Sequence, residues 1–172
     1  MNKREKGFSL IELLIVVAII LIIAAIAIPN LMRARMAANE SSAVGSLRTI
    51  TTSQVTYSSM YGVGNSPTLT LLGGNLNTCA AANLIDATLA LGQKSGYTFP
   101  VAFINTTPNN TPPAVLASTG CADGLAQWAE TGAPITCDQT GHRTFYVDQS
   151  GVLRYQAAAA CPIATVASTP LQ

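Results

Sequence analysis

Residues 8–28, Phe8-Ser9-Leu10-Ile11-Glu12-Leu13-Leu14-Ile15-Val16-Val17-Ala18-Ile19-Ile20-Leu21-Ile22-Ile23-Ala24-Ala25-Ile26-Ala27-Ile28, carry only two polar side chains, Ser9 and Glu12. At ~1.5 Å of rise per residue such a run makes a helix roughly 31 Å long, close to the hydrocarbon thickness of a bilayer. The run is longer than the apolar core of a secretory signal peptide, and no small-residue cleavage site in a polar setting precedes Pro29. A plain anchor helix accounts for its length but not for Glu12, because a carboxylate in the membrane costs about 2.5–3.5 kcal/mol on insertion scales. Such a group calls for a partner, and no cation within the apolar run reaches it. Snorkelling toward Lys3, Arg4 and Lys6 is the simplest local answer.

The flanks orient the segment. Lys3, Arg4 and Lys6 precede it, and positive flanks stay cytoplasmic, whereas Arg33 and Arg35 beyond it oppose that bias only mildly. All four cysteines, Cys79, Cys121, Cys137 and Cys161, follow the run. None forms a C-x-x-C pair and the single histidine, His142, is isolated, so two disulfides are expected rather than zinc. Disulfides form in oxidising compartments. Both signals put the N-terminus inside and the remainder outside. Four cysteines allow three pairings, and spacing does not choose among them.

The octapeptide Lys6-Gly7-Phe8-Ser9-Leu10-Ile11-Glu12-Leu13, with the basic leader before it and Pro29 at its far end, resembles the class III signal of type IV pilins and type II secretion pseudopilins. The resemblance implies cleavage after Gly7 by a membrane aspartyl peptidase on the cytoplasmic face, and N-methylation of Phe8 by the same enzyme. It implies that Glu12 serves assembly, and the α-amino group of Phe8 on a neighbouring subunit is a suitable partner. An ion pair in an apolar setting holds only when both charges are satisfied, which makes it register-specific. It also implies an inner-membrane precursor, an assembly platform, and a helical filament of identical or homologous subunits. A C-terminal disulfide commonly encloses the last strands in that family. Cys137–Cys161 would do so here, leaving Cys79–Cys121 to tie a variable loop to the sheet.

The expected fold is α+β: a long N-terminal helix, half transmembrane and half amphipathic, on a small antiparallel β-sheet head. The expected divisions are a cleaved leader (1–7), an assembly helix (8–28), an amphipathic continuation (29–61) and a globular head (62–172). Pro29 removes a helix hydrogen bond and predicts a kink. Beyond it the chain is rich in helix formers, and Val44, Leu47, Ile50, Thr51, Gln54 and Val55 suggest an apolar stripe. Asn39-Glu40-Ser41-Ser42 reads as a polar facet, either solvated or packed on neighbours. Gly62-Val63-Gly64-Asn65-Ser66-Pro67 ends the helix near Tyr61.

In the head, residues 68–72 read as a short strand or a lead-in to a turn at Gly73-Gly74, and residues 80–90 as a short helix ended by Gly92. Residues 96–104 read as a strand with an irregularity at Pro100, 106–113 as a turn-rich connection, and 125–130 as another strand. The clearest hairpin spans 143–155, folding at Asp148-Gln149-Ser150-Gly151.

No G-x-S-x-G, P-loop, G-x-G-x-x-G or H-E-x-x-H occurs, so neither catalysis nor a cofactor is expected. The acids Asp86, Asp123, Glu130, Asp138 and Asp148 read as scattered through loops. Calcium is a rival use of Asp123, Asp138 and Asp148, since the resemblance extends to major pseudopilins with a C-terminal calcium site; their spacing is not that of an EF-hand. Losing residues 1–7 removes three of nine cations and one of eight anions, leaving the balance at −1. Only Lys94, Arg143 and Arg154 lie in the head, so nucleic acid is not an expected partner. The leading expectation is a type IV pilus subunit for adhesion or motility. The alternatives are a pseudopilin acting as a periplasmic piston and a surface-binding protein on a simple anchor.

Overall fold

The structure, a computed structural model, describes residues 8–157 and 160–171, and the leader 1–7 lies outside them. The chain forms two compact units, residues 1–35 and 36–172. Helix α1, Leu10–Tyr61, supplies the described secondary structure of the first unit and the opening of the second, and it is helical on both sides of Pro29. Pro29 stands between Ile28 and Asn30, at the end of an apolar run that offers the backbone no other hydrogen-bond partner, which favours closing backbone bonds within the helix.

In the second unit α1 buries a stripe at helical spacing: Glu40, Ala43, Ser46, Leu47, Ile50, Ser53, Gln54 and Tyr57. The expected stripe is therefore rotated. Val55 is exposed and Thr51 only half-buried, while Ala43, Ser46 and Tyr57 face inward. The reason is polar matching. Gln54 donates Nε2–H to the Ser66 carbonyl at 3.0 Å and accepts the Ser66 N–H at 2.7 Å, so its amide behaves as a strand partner and turns that face inward.

Three short helices follow: α2 (Leu69–Leu72), α3 (Ala87–Ala90) and α4 (Pro113–Thr119). Of the two readings of 68–72, a strand or a lead-in to a turn at Gly73-Gly74, the strand does not form: the Thr68 hydroxyl caps the Leu71 N–H and starts a helical turn that ends at Gly73. The helix expected over 80–90 is confined to its last turn, started by the Asp86 carboxylate on the Leu89 N–H. Before it, Asn83 takes φ +56°, which no helix accommodates, and Ala81 and Thr78 bond each other. The turn-rich connection holds β3 and the start of α4. α4 has Pro113 at its first position and left-handed Gly120 (φ +67°) just past its end, both ordinary helix boundary signals.

Seven strands occur among the described residues: β1 (Gln93–Lys94), β2 (Tyr97–Thr98), β3 (Ile104–Pro108), β4 (Leu125–Pro134), β5 (Arg143–Asp148), β6 (Arg154–Ala157) and β7 (Thr169–Pro170). Pairing is antiparallel throughout, in the order β1-β2-β4-β5-β6-β7. β3 also pairs with β4, along its first half, while β2 takes its last two residues. The single strand expected over 96–104 is thus β2 and the first residue of β3, separated by residues 99–103. Phe99 leaves the ladder to fill the core, where it comes so close to Gly132 that a Cβ there would meet its ring at 2.9 Å.

The core joins Ala43, Leu47, Ile50 and Tyr57 of α1 to Trp128 of β4 and Phe145 and Val147 of β5, with Tyr97, Phe99 and Phe103 between. The β5–β6 hairpin folds at Asp148, which accepts the Ser150 N–H, and Gly151 supplies φ +73°. Disulfides join Cys79 to Cys121 and Cys137 to Cys161, closing sequence spans of 42 and 24 residues.

Candidate functional site

Helix α1 begins with a device visible in the sequence as Ser-x-x-Glu. Ser9 precedes the first helical residue, and its N–H donates to Glu12 Oε2 at 2.9 Å, while its carbonyl accepts the Leu13 N–H at 3.2 Å. This is the glutamate half of a capping box, with Ser9 at the cap and Glu12 three residues on. In an apolar setting an orphan N–H is expensive, and a carboxylate also suits the positive end of the helix dipole. Glu12 thus has a partner within its own chain, one that a search for cations alone overlooks.

From Leu10 onward the apolar side chains are uncovered. An 18-residue window of this segment is 0% buried, and Phe8 is 74% exposed. The helix is long and apolar enough to cross a membrane. Of the expected processing residues, Phe8 lies in the described structure just before α1, and Gly7 lies outside the described residues.

In the second unit the expected polar facet is put to internal use. Glu40 Oε1 accepts the N–H of His142 (2.9 Å) and of Arg143 (3.1 Å), and Oε2 takes Arg143 Nε–H and Nη2–H, each at 2.7 Å. Asn39 donates to the Thr140 carbonyl and Ser42 to the Ser95 hydroxyl, each at 2.9 Å. Higher up, the Tyr57 hydroxyl donates to the Cys79 carbonyl at 2.9 Å, and burial together with Tyr61 pushes its pKa up. These contacts fasten the outer half of α1 to the head on two sides of the core.

Two of the acids expected in loops lie in strands, Glu130 in β4 and Asp148 at the end of β5. Glu130 sits inside β4 with no exposure, and burial pushes its carboxyl up to about 9. Asp86 caps α3 and pairs with Lys94 at 2.7 Å, the Lys94 ammonium and the Thr88 hydroxyl holding its pKa well below the usual carboxylate range. Asp123 accepts the N–H groups of Asn110 and Thr111, Asp138 meets His142 Nδ1 at 2.5 Å, and Asp148 is engaged with Ser150. Asp123, Asp138 and Asp148 therefore each serve a different loop. Among the described residues the one metal-type grouping is Cys137, Asp138 and Cys161, whose two sulfurs are already joined to each other.

The family model of the prokaryotic N-terminal methylation motif matches residues 2–28. The type IV major pilin protein PilA of Myxococcus xanthus is 48% identical over 56 residues, 33% of this chain and 26% of that protein. The N-terminal segment is similar to that of type IV pilins. The type IV wide pilus major component PilA4 of Thermus thermophilus is 45% identical over 64 residues, 37% of this chain and 46% of that protein. The chain thus spans less than half the length of these type IV pilin relatives. No solved structure matches. The α+β architecture, a long apolar N-terminal helix with an antiparallel sheet, is the one a pilin calls for.

Proposed function

We propose that the chain is the structural subunit of a type IV pilus, made as a single-pass precursor and assembled into a helical filament that serves adhesion or motility. The observation that carries this reading is the methylation motif at residues 2–28 on a helix whose apolar side chains no other described residue of its unit covers. That surface needs lipid before assembly and other subunits after it; packing then sets the geometry, since lipid is as apolar as leucine. In this reading the precursor lies in the inner membrane with its N-terminus in the cytoplasm. A peptidase cuts between Gly7 and Phe8, Phe8 is N-methylated, and the assembly platform extracts the product. Glu12 sets axial register by pairing with the α-amino group of Phe8 on a neighbour. Pro29 gives the helix a local bend between its lipid-embedded and outer halves. The molecule has no catalytic role. Both matched relatives are named as pilus components, which favours a pilus over a secretion pseudopilus.

The experiment separates pairing from capping. In the native host, Glu12 is replaced by Gln, which also caps a helix from this position, and by Ala, which does not. Processing is read by intact mass and filaments by electron microscopy. Both variants are expected to be processed and to lose surface filaments. Normal filaments with Gln would reduce Glu12 to a cap. Retention of residues 1–7 in the wild-type protein would make the chain a simple anchor instead.

A further inference from the structure

Along β4 the side chains of Trp128, Glu130 and Gly132 fall on one face. Their partners across the ladder are Val147, opposite Glu130, and Phe145, opposite Gly132. This is the face that meets α1: a Cβ on Gly132 would lie 3.7 Å from Leu47, and Trp128, Phe145 and Val147 share a core cluster with Leu47, Ile50 and Tyr57. A glutamate has therefore been placed in the middle of the helix–sheet core. It is 0% exposed. Its Oε1 accepts the Thr131 N–H at 2.8 Å, and its Oε2 has no partner. Gln54, the other long polar side chain with no exposure in this core, has both ends of its amide matched by Ser66.

A buried polar atom without a partner is rare, and a buried charge without one rarer still, because desolvation disfavours the ionised form. We propose that Glu130 is a proton-dependent lock on the helix–sheet core, closed while its carboxyl is protonated and loosened as the medium becomes alkaline. The ionisable groups on the elements packed around it do not relieve the charge. Glu40 of α1 is engaged with Arg143 of β5, Asp148 of β5 with Ser150, and Arg154 of β6 with the Ser168 carbonyl. Tyr57 of α1 and Tyr97 of β2 are both pushed up by burial and stay neutral. Tyr146 of β5 belongs to the cluster on the opposite face, and Tyr155 of β6 holds the Arg143 guanidinium 5.7 Å above its ring. None hydrogen-bonds to Glu130 among the described residues.

Burial raises the carboxyl from 4.5 to about 9, with the Thr131 N–H pulling it slightly back. Between those values the folded state holds a proton that the unfolded state has released. Stability is full below the lower value and falls as pH rises through the window, by about tenfold in the folding constant per pH unit. Most proteins gain from having their carboxylates ionised; this core is arranged the other way. The inference does not depend on filament assembly.

The test uses the full chain in detergent micelles, unfolded by denaturant at a series of pH values and followed by the fluorescence of Trp128, the single tryptophan. The wild type is expected to lose about tenfold in folding constant per unit between about pH 5 and about pH 9. Glu130→Gln, neutral and of the same shape, is expected to abolish that slope, whereas Asp123→Asn, a control outside this core whose partners are the Asn110 and Thr111 N–H groups, keeps it. A wild type without the slope, or a Glu130→Gln variant that retains it, overturns the proposal. Infrared spectroscopy of the wild type covers the case in which the variant fails to fold. A protonated-carboxyl stretch at neutral pH that disappears on alkalinisation supports the lock, and absence of that stretch at neutral pH overturns it.

Discussion

Replacing Glu40 by Ala puts the fastening of α1 to the head to a direct test. The glutamate side chain is 8% exposed and its partner Arg143 41% exposed, so the pair is buried at one end and wet at the other. Breaking a fully buried pair from one side costs about 3–5 kcal/mol. The solvated guanidinium escapes part of that penalty by turning to water, as exposed pairs do. Against this, two backbone N–H groups, those of His142 and Arg143, lose their acceptor, and each unmet donor costs about 1–3 kcal/mol when buried. The balance is a loss of about 3 kcal/mol, which for a unit of this size lowers the melting temperature by about 10 °C. The assay is thermal unfolding of the full chain in detergent, followed by Trp128 fluorescence. Glu40→Gln keeps an acceptor for the two N–H groups and is expected to lose about half as much. A Glu40→Ala protein that melts within about 2 °C of wild type would refute the reasoning, and so would a Gln variant as unstable as the Ala one.

Other substitutions probe different parts of the same account. Gly45 lies inside α1 with nothing within 4 Å of an added Cβ, so Gly45→Ala is expected to stabilise the subunit by about 0.5–1 kcal/mol in denaturant titration. Gly124 is the opposite case: a Cβ there would stand 2.5 Å from the Val63 carbonyl and 2.6 Å from that of Asn65. Gly124→Ala is therefore expected to lower the melting midpoint by several degrees, or to leave the head unfolded by circular dichroism. Asp86 contributes stability above the ordinary carboxylate range that is lost as pH falls below it, because Lys94 and Thr88 hold its pKa down. Asp86→Asn keeps an N-cap acceptor but loses the charge facing Lys94, so in denaturant titrations over a pH series it is expected to be less stable than wild type at neutral pH and to show a flatter acid limb.

The fold class was legible because its two determinants are local. An uninterrupted apolar run followed by helix formers specifies α1, and alternating residues around Asp148–Gly151 specify a hairpin. What escaped reading depends on contacts distant in sequence. Glu40 looks like a surface residue until His142 and Arg143, more than a hundred positions away, are folded onto it. The inward face of α1 is decided by Gln54 reaching Ser66, not by apolar spacing alone. Glu130 reads as one more loop acid because nothing in Trp-Ala-Glu-Thr-Gly marks the glutamate as buried. Other features do carry local signals in the sequence. Pro113 and Gly120 bracket α4, Thr68 and Asp86 are N-caps, and Ser9-x-x-Glu12 is a capping box. Glu12 meets the Ser9 N–H, a backbone donor rather than a cation.

The segment carrying α4 leaves and rejoins the head at a single crossing. Thr111 donates its hydroxyl hydrogen to the Val63 carbonyl, and Asp123 receives the N–H groups of Asn110 and Thr111. Asn65 and Leu125 exchange both backbone bonds at 2.8 Å. Residues 112–122 are therefore an excursion with both feet tied, and Cys121 adds a covalent tie to Cys79. For a tethered loop, doubling the length costs only about 0.6 kcal/mol in closure entropy. A change in the length of residues 113–119 therefore costs little in closure entropy while the crossing beneath keeps its shape, provided that Val115 and Leu116, which pack against the core, are kept.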